Sequence, residues 1–303
     1  MEHISAIAKQ SALPNLWRPE TSDEVELAFL ARQLVQITLP HSDPGDVPVW
    51  TRRNGDLTLI MTRADTDDKG TLIGYPYGSL PRLLLYWINS EAVRTKSRRL
   101  ELGSNLSRFM TELGLNPRNG RGERSDARRL QHQMNRLFGA SIRFKQTAET
   151  ANGDIRQKMR MSAIIDESEL WWNPNHPRQG YLWNSWIELS ESFFKTITAV
   201  PVPLNMRALK ALKRSPSALD LYAWISYKSW NVTRLKKPQT VPWELLHAQL
   251  GADYAELRNF KLKATAAIRK IIDVQPEFRI ALSPGTIQLR PCANVIEAKA
   301  ASV

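Results

Sequence analysis

Between Ser125 and Arg136 the chain sets Arg128, Arg129, His132, Asn135 and Arg136 on one side of a helical wheel, since each helical residue turns its side chain by about 100°. Every one of these side chains, with Ser125, can donate a hydrogen bond to a phosphate or to a base edge. A second set occurs at Arg258, Asn259, Lys261, Lys263, Thr265 and Arg269. Asn pairs bidentately with adenine and Arg with guanine, while Thr and Ala methyls can touch the thymine methyl. The lysines and Arg269 suit phosphates, which position a protein without reading sequence. Such charges on a helix are ordinarily just solvated. Here, however, acids are scarce: near the first set only Asp126 occurs, in the first turn, where it favours the helix dipole. Two further groups could hold phosphates. One is Arg94, Lys96, Arg98 and Arg99, for which a solvated loop is an equal alternative. The other is Lys145 and Arg156, flanking the hairpin tip "ETANGD" and read as the two sides of a wing.

Other chemistry is poorly represented. No Gly-x-x-x-x-Gly-Lys-[Ser/Thr] loop occurs, so nothing cradles a nucleotide triphosphate in that manner. Gly-x-Ser-x-Gly is missing too. The histidines at 3, 41, 132, 176 and 247 are scattered and there is a single cysteine, Cys292, so a zinc or other metal site is not expected. Asp65, Asp67 and Asp68 sit in a turn-like stretch and read as turn formers. Neither a catalytic residue nor a cofactor is expected. A DNA-nicking or joining enzyme is therefore the weaker alternative.

The elements that must hold these side chains can be read from the rest of the chain. Its 303 residues are 42% hydrophobic, enough for about two cores. Lys plus Arg number 42 against 30 Asp plus Glu, a net charge of +12. That excess attracts polyanions, nucleic acid first and an anionic membrane surface second. A lone cysteine and no signal-like or membrane-spanning apolar run fit a cytoplasmic protein without disulfides. Thr21 to Glu24 makes a capping box that predicts an amphipathic helix through Leu34, followed by a hairpin turning at Asn54-Gly55. Apolar surface on that helix and hairpin is expected to support a homodimer.

Two segments then repeat. "WINSEAVRTKSRRLELGSNLSRFMTELG" starts at Trp87 and "WISYKSWNVTRLKKPQTVPWELLHAQLG" at Trp224. At that offset Leu84 matches Leu221, Ile88 matches Ile225, Leu113 matches Leu250 and Gly114 matches Gly251. Around each copy the pattern predicts three helices and a β-hairpin, with Ser104 and Ser125 as caps in the first and Ser215 in the second. This predicts an α+β fold of two tandem winged-helix domains, at 45–200 and 201–295. An N-terminal arm and helix at 1–44 precede them, "TAVPVPLNM" is a linker between them, and 296–303 is a tail. In a winged helix the third helix enters the major groove.

"GYPYGSLPRLLLYWINSEAVRTKSRRLELGSNLSRFMTELGL" and "LRNFKLKATAAIRKIIDVQPEFRIALSPGTIQLRP" resemble the plasmid-encoded RepA family of replication initiators, over about residues 45 to 292. The resemblance implies tandem winged helices that bind repeated origin sequences, open the origin, and recruit host DnaA and a DnaB-type helicase. It also implies dimerisation through the N-terminal domain and repression of the protein's own promoter. A repressor without origin-melting activity is the alternative with the same domains.

Overall fold

A computed structural model of the chain describes residues 26–66, 70, 72–103, 105–118, 124–149, 155–171, 185–251 and 254–292. It is mixed α and β. Strand β1 (Leu27–Ala31) runs into the short helix α1 (Arg32–Gln36). A hairpin follows, β2 (Trp50–Asn54) and β3 (Leu57–Thr62), then the small strands β4 (Ala64–Thr66) and β5 (Leu72–Gly74). The first repeat contains α2 (Ser79–Thr95), β6 (Arg99–Glu101), α3 (Leu106–Glu112) and α4 (Asp126–Gly139). It continues through β7 (Ser141–Glu149), β8 (Ile155–Ala163), β9 (Ile165–Glu169), β10 (Trp186–Leu189) and α5 (Glu191–Ala199). After β11 (Pro201–Asn205) and α6 (Met206–Leu212) the second repeat reads α7 (Pro216–Leu235), β12 (Gln239–Pro242), α8 (Trp243–Leu250), α9 (Leu257–Val274), β13 (Arg279–Leu282) and β14 (Thr286–Arg290).

The repeat is physical. Trp87 and Trp224 each direct the indole N–H at a side chain 25 positions ahead, Glu112 at 3.4 Å and Gln249 at 3.2 Å. Leu84, Leu221, Ile88, Ile225, Leu113 and Leu250 are all buried. Both long helices, α2 and α7, end on a lysine in the left-handed region, Lys96 at φ 55° and Lys236 at φ 52°. The strands agree as well: β6-β10-β9 and β12-β14-β13 are antiparallel three-stranded sheets with the strand before the second helix at one edge and the last strand in the middle. The two matched glycines differ in purpose. Gly114 adopts φ 74°, a left-handed stop for α3. Gly251 has φ −103° and is required by space, since a Cβ there would lie 2.5 Å from His247 and 2.6 Å from Phe260.

Four expectations change. The helix predicted across Val25 to Leu34 is instead strand β1 followed by α1, and its capping box lies outside the described residues. Ala28 to Ala31 are buried without a break, which suits a strand covered on both faces. One edge of β1 pairs with β11, and on the other side Ser90 Oγ and Asn89 Oδ1 of α2 accept from the backbone N–H of Phe29 and Ala31. The segment read as a linker is therefore strand β11, and the expected divisions after 44 and 200 leave paired strands on opposite sides. The cap of α3 is Asn105, which accepts from Arg108 N; Ser104 lies outside the described residues. Finally, the first wing is misplaced. By sheet order the counterpart of β13-β14 is β9-β10, whereas β7-β8 joins β2-β3 in a four-stranded sheet, β2-β3-β7-β8, that the second repeat lacks. That sheet also absorbs the hairpin at Asn54-Gly55, whose Leu59 and Met61 are fully buried and so are not surface for a partner.

The halves interlock. Arg82 of α2 forks onto Asp220 of α7, with Nε to Oδ1 and Nη2 to Oδ2 both at 2.7 Å, and His41 Nε2 meets the same carboxylate at 2.7 Å. The remaining guanidinium hydrogens go to the carbonyls of Leu39, Pro40 and Gly78. Burial alone would raise the Asp220 carboxyl, but Arg82 and His41 outweigh it and hold it well below the ordinary carboxylate range. Beside the triad Tyr86 donates to Leu219 O at 3.1 Å, and Gln249 donates to Gln36 O at 2.9 Å.

Candidate nucleic-acid interface

Helix α9 buries Phe260, Ala264, Ala267, Ile268 and Ile271, the stripe its sequence predicts at helical spacing. Phe260 sits in a cluster with His247, Tyr254 and Trp243, at centroid distances of 5.1, 6.0 and 6.4 Å. His247 Nε2 also meets Tyr254 O at 2.8 Å. These contacts, and the missing Cβ at Gly251, fix the angle between α8 and α9. The hairpin tip is pinned to the same place: Trp243 donates through Nε1 to Ser283 O at 3.0 Å and through its backbone to Gly285 O at 3.1 Å.

The outer side of α9 is left to solvent. Arg258, Asn259, Lys263, Ala266, Arg269 and Lys270 are exposed and Thr265 is half-buried. Among the described residues none of the cations Arg258, Lys263, Arg269 and Lys270 is paired with an acid. Leu262, 69% exposed, lies among them with nothing packed on it. Asn259 leans on Glu256 at 3.5 Å, at the margin of a hydrogen bond. Lys261 differs, since its ammonium donates to Pro284 O and so ties helix to hairpin tip. The face offers amide, guanidinium and methyl groups toward one side, the mixture that base edges require.

Helix α4 presents a more committed surface. Ser125 is the N-cap, accepting from Arg128 N, and is buried, so it is removed from the outer face. Arg136 donates to Asp43 at 3.1 Å and stacks on Tyr77 at 4.9 Å; it anchors the loop before α2. Arg129 reaches Asp126 at 3.4 Å from an exposed position, a weak pairing that a phosphate could replace. His132 and Asn135 are exposed and Arg128 is half-buried. A cavity of about 340 Å³ opens between α4 and the start of α2, lined by Tyr77, Ser79, Arg129, His132 and Arg136.

The basic run after α2 is largely spoken for. Arg94 pairs with Glu91, and Arg98 reaches Asp166 at 2.6 Å, Glu188 at 3.3 Å and Leu189 O at 2.8 Å. Arg99 meets Glu101 at 3.3 Å and lies 3.8 Å over Trp186. Lys96 is exposed at the helix end. Of the four, three are matched by acids, and Arg98 and Arg99 stitch β6 to β9 and β10 while Arg94 pairs within α2, so the reading as phosphate contacts loses to a structural one. Lys145 and Arg156 lie on β7 and β8, away from the β9-β10 hairpin. Sequence reasoning missed the Arg82-Asp220-His41 triad, whose members lie far apart in the chain. It also missed the end of α7, where Arg234 covers Trp230 at 5.1 Å and Lys236 and Lys237 are exposed; only their position at the repeat of "VRTKSRR" marked them.

Among the described residues no helix is long and apolar enough to cross a membrane. Cys292 is buried and unpaired. The profile of the family described as "Plasmid encoded RepA protein" matches residues 75–245. No curated protein sequence matches significantly. A solved structure titled "Crystal structure of SeMet derivatives of domain2 and domain 3 of RctB" is similar in fold, with a TM-score of 0.51 at 11% identity, over 84% of this chain and 94% of that one.

Proposed function

This chain belongs to the plasmid-encoded RepA family, and from that premise we propose that it initiates plasmid replication by binding repeated double-stranded sequences at the origin. Each repeat is read as a winged helix: α2, α3 and α4 with the β9-β10 wing, then α7, α8 and α9 with the β13-β14 wing. The observation that carries the reading is the outer face of α9, which is basic, unpaired, rich in base-reading side chains and held by a rigid helix-turn-helix. In this reading α9 dominates sequence recognition, because its cations are uncommitted, and α4 adds a second groove contact through Arg128, Arg129, His132 and Asn135. Grooves recur every ~10 base pairs, so tandem readers on one face protect about 20 base pairs.

The protein acts without catalysis or cofactor, in the cytoplasm. Opening of the origin and recruitment of host DnaA and a DnaB-type helicase belong to the same proposal, as does a homodimer through the N-terminal half. Footprinting on the origin of the encoding plasmid is the direct test. A repeated protected unit near 20 base pairs is expected, with an AT-rich stretch becoming reactive to single-strand probes. Protection without that reactivity would make the protein a repressor with the same domains. Magnesium-dependent nicking by the purified chain would defeat the non-catalytic reading.

A further inference from the structure

Among the described residues the β7-β8 ribbon has no counterpart in the second repeat, and while its base belongs to the sheet β2-β3-β7-β8, packing does not account for its outer end. It starts one residue after α4 ends, at Ser141. Strand β3 covers it only as far as the pair Leu57 and Gln146, while β7 and β8 continue pairing to Glu149 and Ile155. Thr147 N still donates to Asp56 O at 2.9 Å, so only the last pairs, Ala148 with Arg156 and Glu149 with Ile155, form a free two-stranded ribbon of a width that a DNA groove admits. Lys145, Lys158 and Met159 lie at its root, where β3 still flanks β7. Registers place Lys145 opposite Met159 and Gln146 opposite Lys158. Side chains alternate between faces, so Lys145 shares one face with Met159 and Ile155, while Arg156 and Lys158 share the other. At its base the second face buries Ile142 and Phe144. Farther out it is basic and exposed.

Two properties of this ribbon point to a ligand. Arg94, Arg98, Arg99 and Arg136 of the first half are matched by acids; among the described residues Lys145, Arg156 and Lys158 are not. The ribbon also leaves Ile155 69% and Met159 56% exposed. Cations on both faces, with Ile155 and Met159 beside Lys145 on one of them, complement nucleic acid, which offers phosphates and apolar sugar and base surface side by side.

We propose that β7-β8 is a third DNA-contacting arm beside the segment read by α4, with Arg156 on the two-stranded end that enters a groove and Lys145 and Lys158 meeting phosphates at its root. The inference rests on the reading of this chain as a duplex-binding protein. It gives the first half a ribbon contact in exchange for the cations that its α4 face and its α2 terminus have committed to ion pairs.

The test uses the full chain and two variants, Arg156→Gln with Lys158→Gln, and Ile155→Ser with Met159→Ser. All four positions are exposed, and thermal melting checks the fold. Binding to a random-sequence duplex is measured against salt, and hydroxyl-radical footprints are taken on the plasmid's origin. The charge variant is expected to make the log K against log salt slope shallower by about 2, since each lost phosphate contact is worth about 0.9. Both variants should lose protection over a segment outside that governed by Asn259 and adjoining that governed by Arg128. An unchanged slope and footprint in the charge variant would overturn the proposal. So would unchanged DNA binding together with loss of a dimer in sedimentation, which would make the ribbon a protein interface. A wild-type chain with no preference for origin over random duplex defeats the parent reading instead, and leaves the ribbon's effect on the salt slope to be judged by itself.

Discussion

Removing the carboxylate of Asp220 tests how the two halves are held. Arg82 is 4% exposed and Asp220 is 6% exposed, so Asp220→Ala leaves a buried guanidinium facing only three carbonyls. Breaking a buried pair in this way costs about 3–5 kcal/mol, against a total stability of about 5–15 kcal/mol for a typical protein. At about 2–4 °C per kcal/mol for a large domain, melting should fall by roughly 6–20 °C. The stronger test is the double replacement Arg82→Met with Asp220→Leu. It removes both charges and keeps volume, so it should recover most of the loss. His41 and the carbonyls of Leu39, Pro40 and Gly78 would then lack their partners, which limits the recovery. Because the triad joins α2 to α7, Asp220→Ala should also, if α4 and α9 read DNA as proposed, loosen the phase between them and blur a two-groove footprint. The assay is calorimetry of wild type, both singles and the double, with footprints below the melting range. A loss under about 1 kcal/mol for Asp220→Ala, or a double variant no better than the sum of the singles, would show that the triad does not hold the halves.

Asn259→Ala and Arg258→Ala should each lower affinity for the specific repeat by about 1–3 kcal/mol while hardly changing random-duplex affinity, since a lost base contact relaxes choice at that position; parallel binding curves decide it, and equal losses on both duplexes would turn these residues into phosphate contacts. Gly251→Ala should destabilise by about 1–3 kcal/mol through overpacking against His247 and Phe260, and Gly114→Ala by about 1–2 kcal/mol through its left-handed backbone, with denaturant melts expected to rank them in that order. The Asp220 carboxyl ionises below its ordinary value of 3.8, so the stability it contributes is complete above that value and is lost as pH falls toward its folded-state pKa; acid titration of Asp220→Asn should therefore show a shallower loss of stability below about pH 4 than wild type, and parallel curves would contradict this assignment.

What the sequence disclosed was local. Ser125 and Ser215 were legible as caps, Ala127, Leu130, Met134 and Leu137 as an inward stripe, and Asn54-Gly55 as a turn, because each depends on neighbours a few residues away. The repeat was legible because the helices pack the same way twice. What escaped depended on distant partners. Leu27 to Ala31 read as helix until β11 supplied a hydrogen-bonding edge. Arg98 and Arg136 read as free until Asp166 and Asp43, 68 and 93 positions away, arrived beside them. The hairpin of the first repeat was misassigned because β7-β8 and β9-β10 both alternate, and alternation cannot say which strand pairs with β6.

The two halves share a scaffold and spend their charges differently, and this has a consequence for how such a chain can change specificity. In the first repeat Arg98, Arg99 and Arg136 join strands and loops, so replacing any of them alters the fold before it alters a ligand. In the second repeat the cations on α9 hold nothing else, apart from Lys261. A substitution at Arg258, Asn259 or Arg269 therefore leaves the packing of Phe260, Ile268 and Ile271 intact. Under the proposed function, a scaffold so divided can keep its first half as the frame, joined through Arg82 and Asp220, and vary its second half to follow a changed origin repeat. The side chains best suited to choosing a sequence are thus those whose loss the fold tolerates.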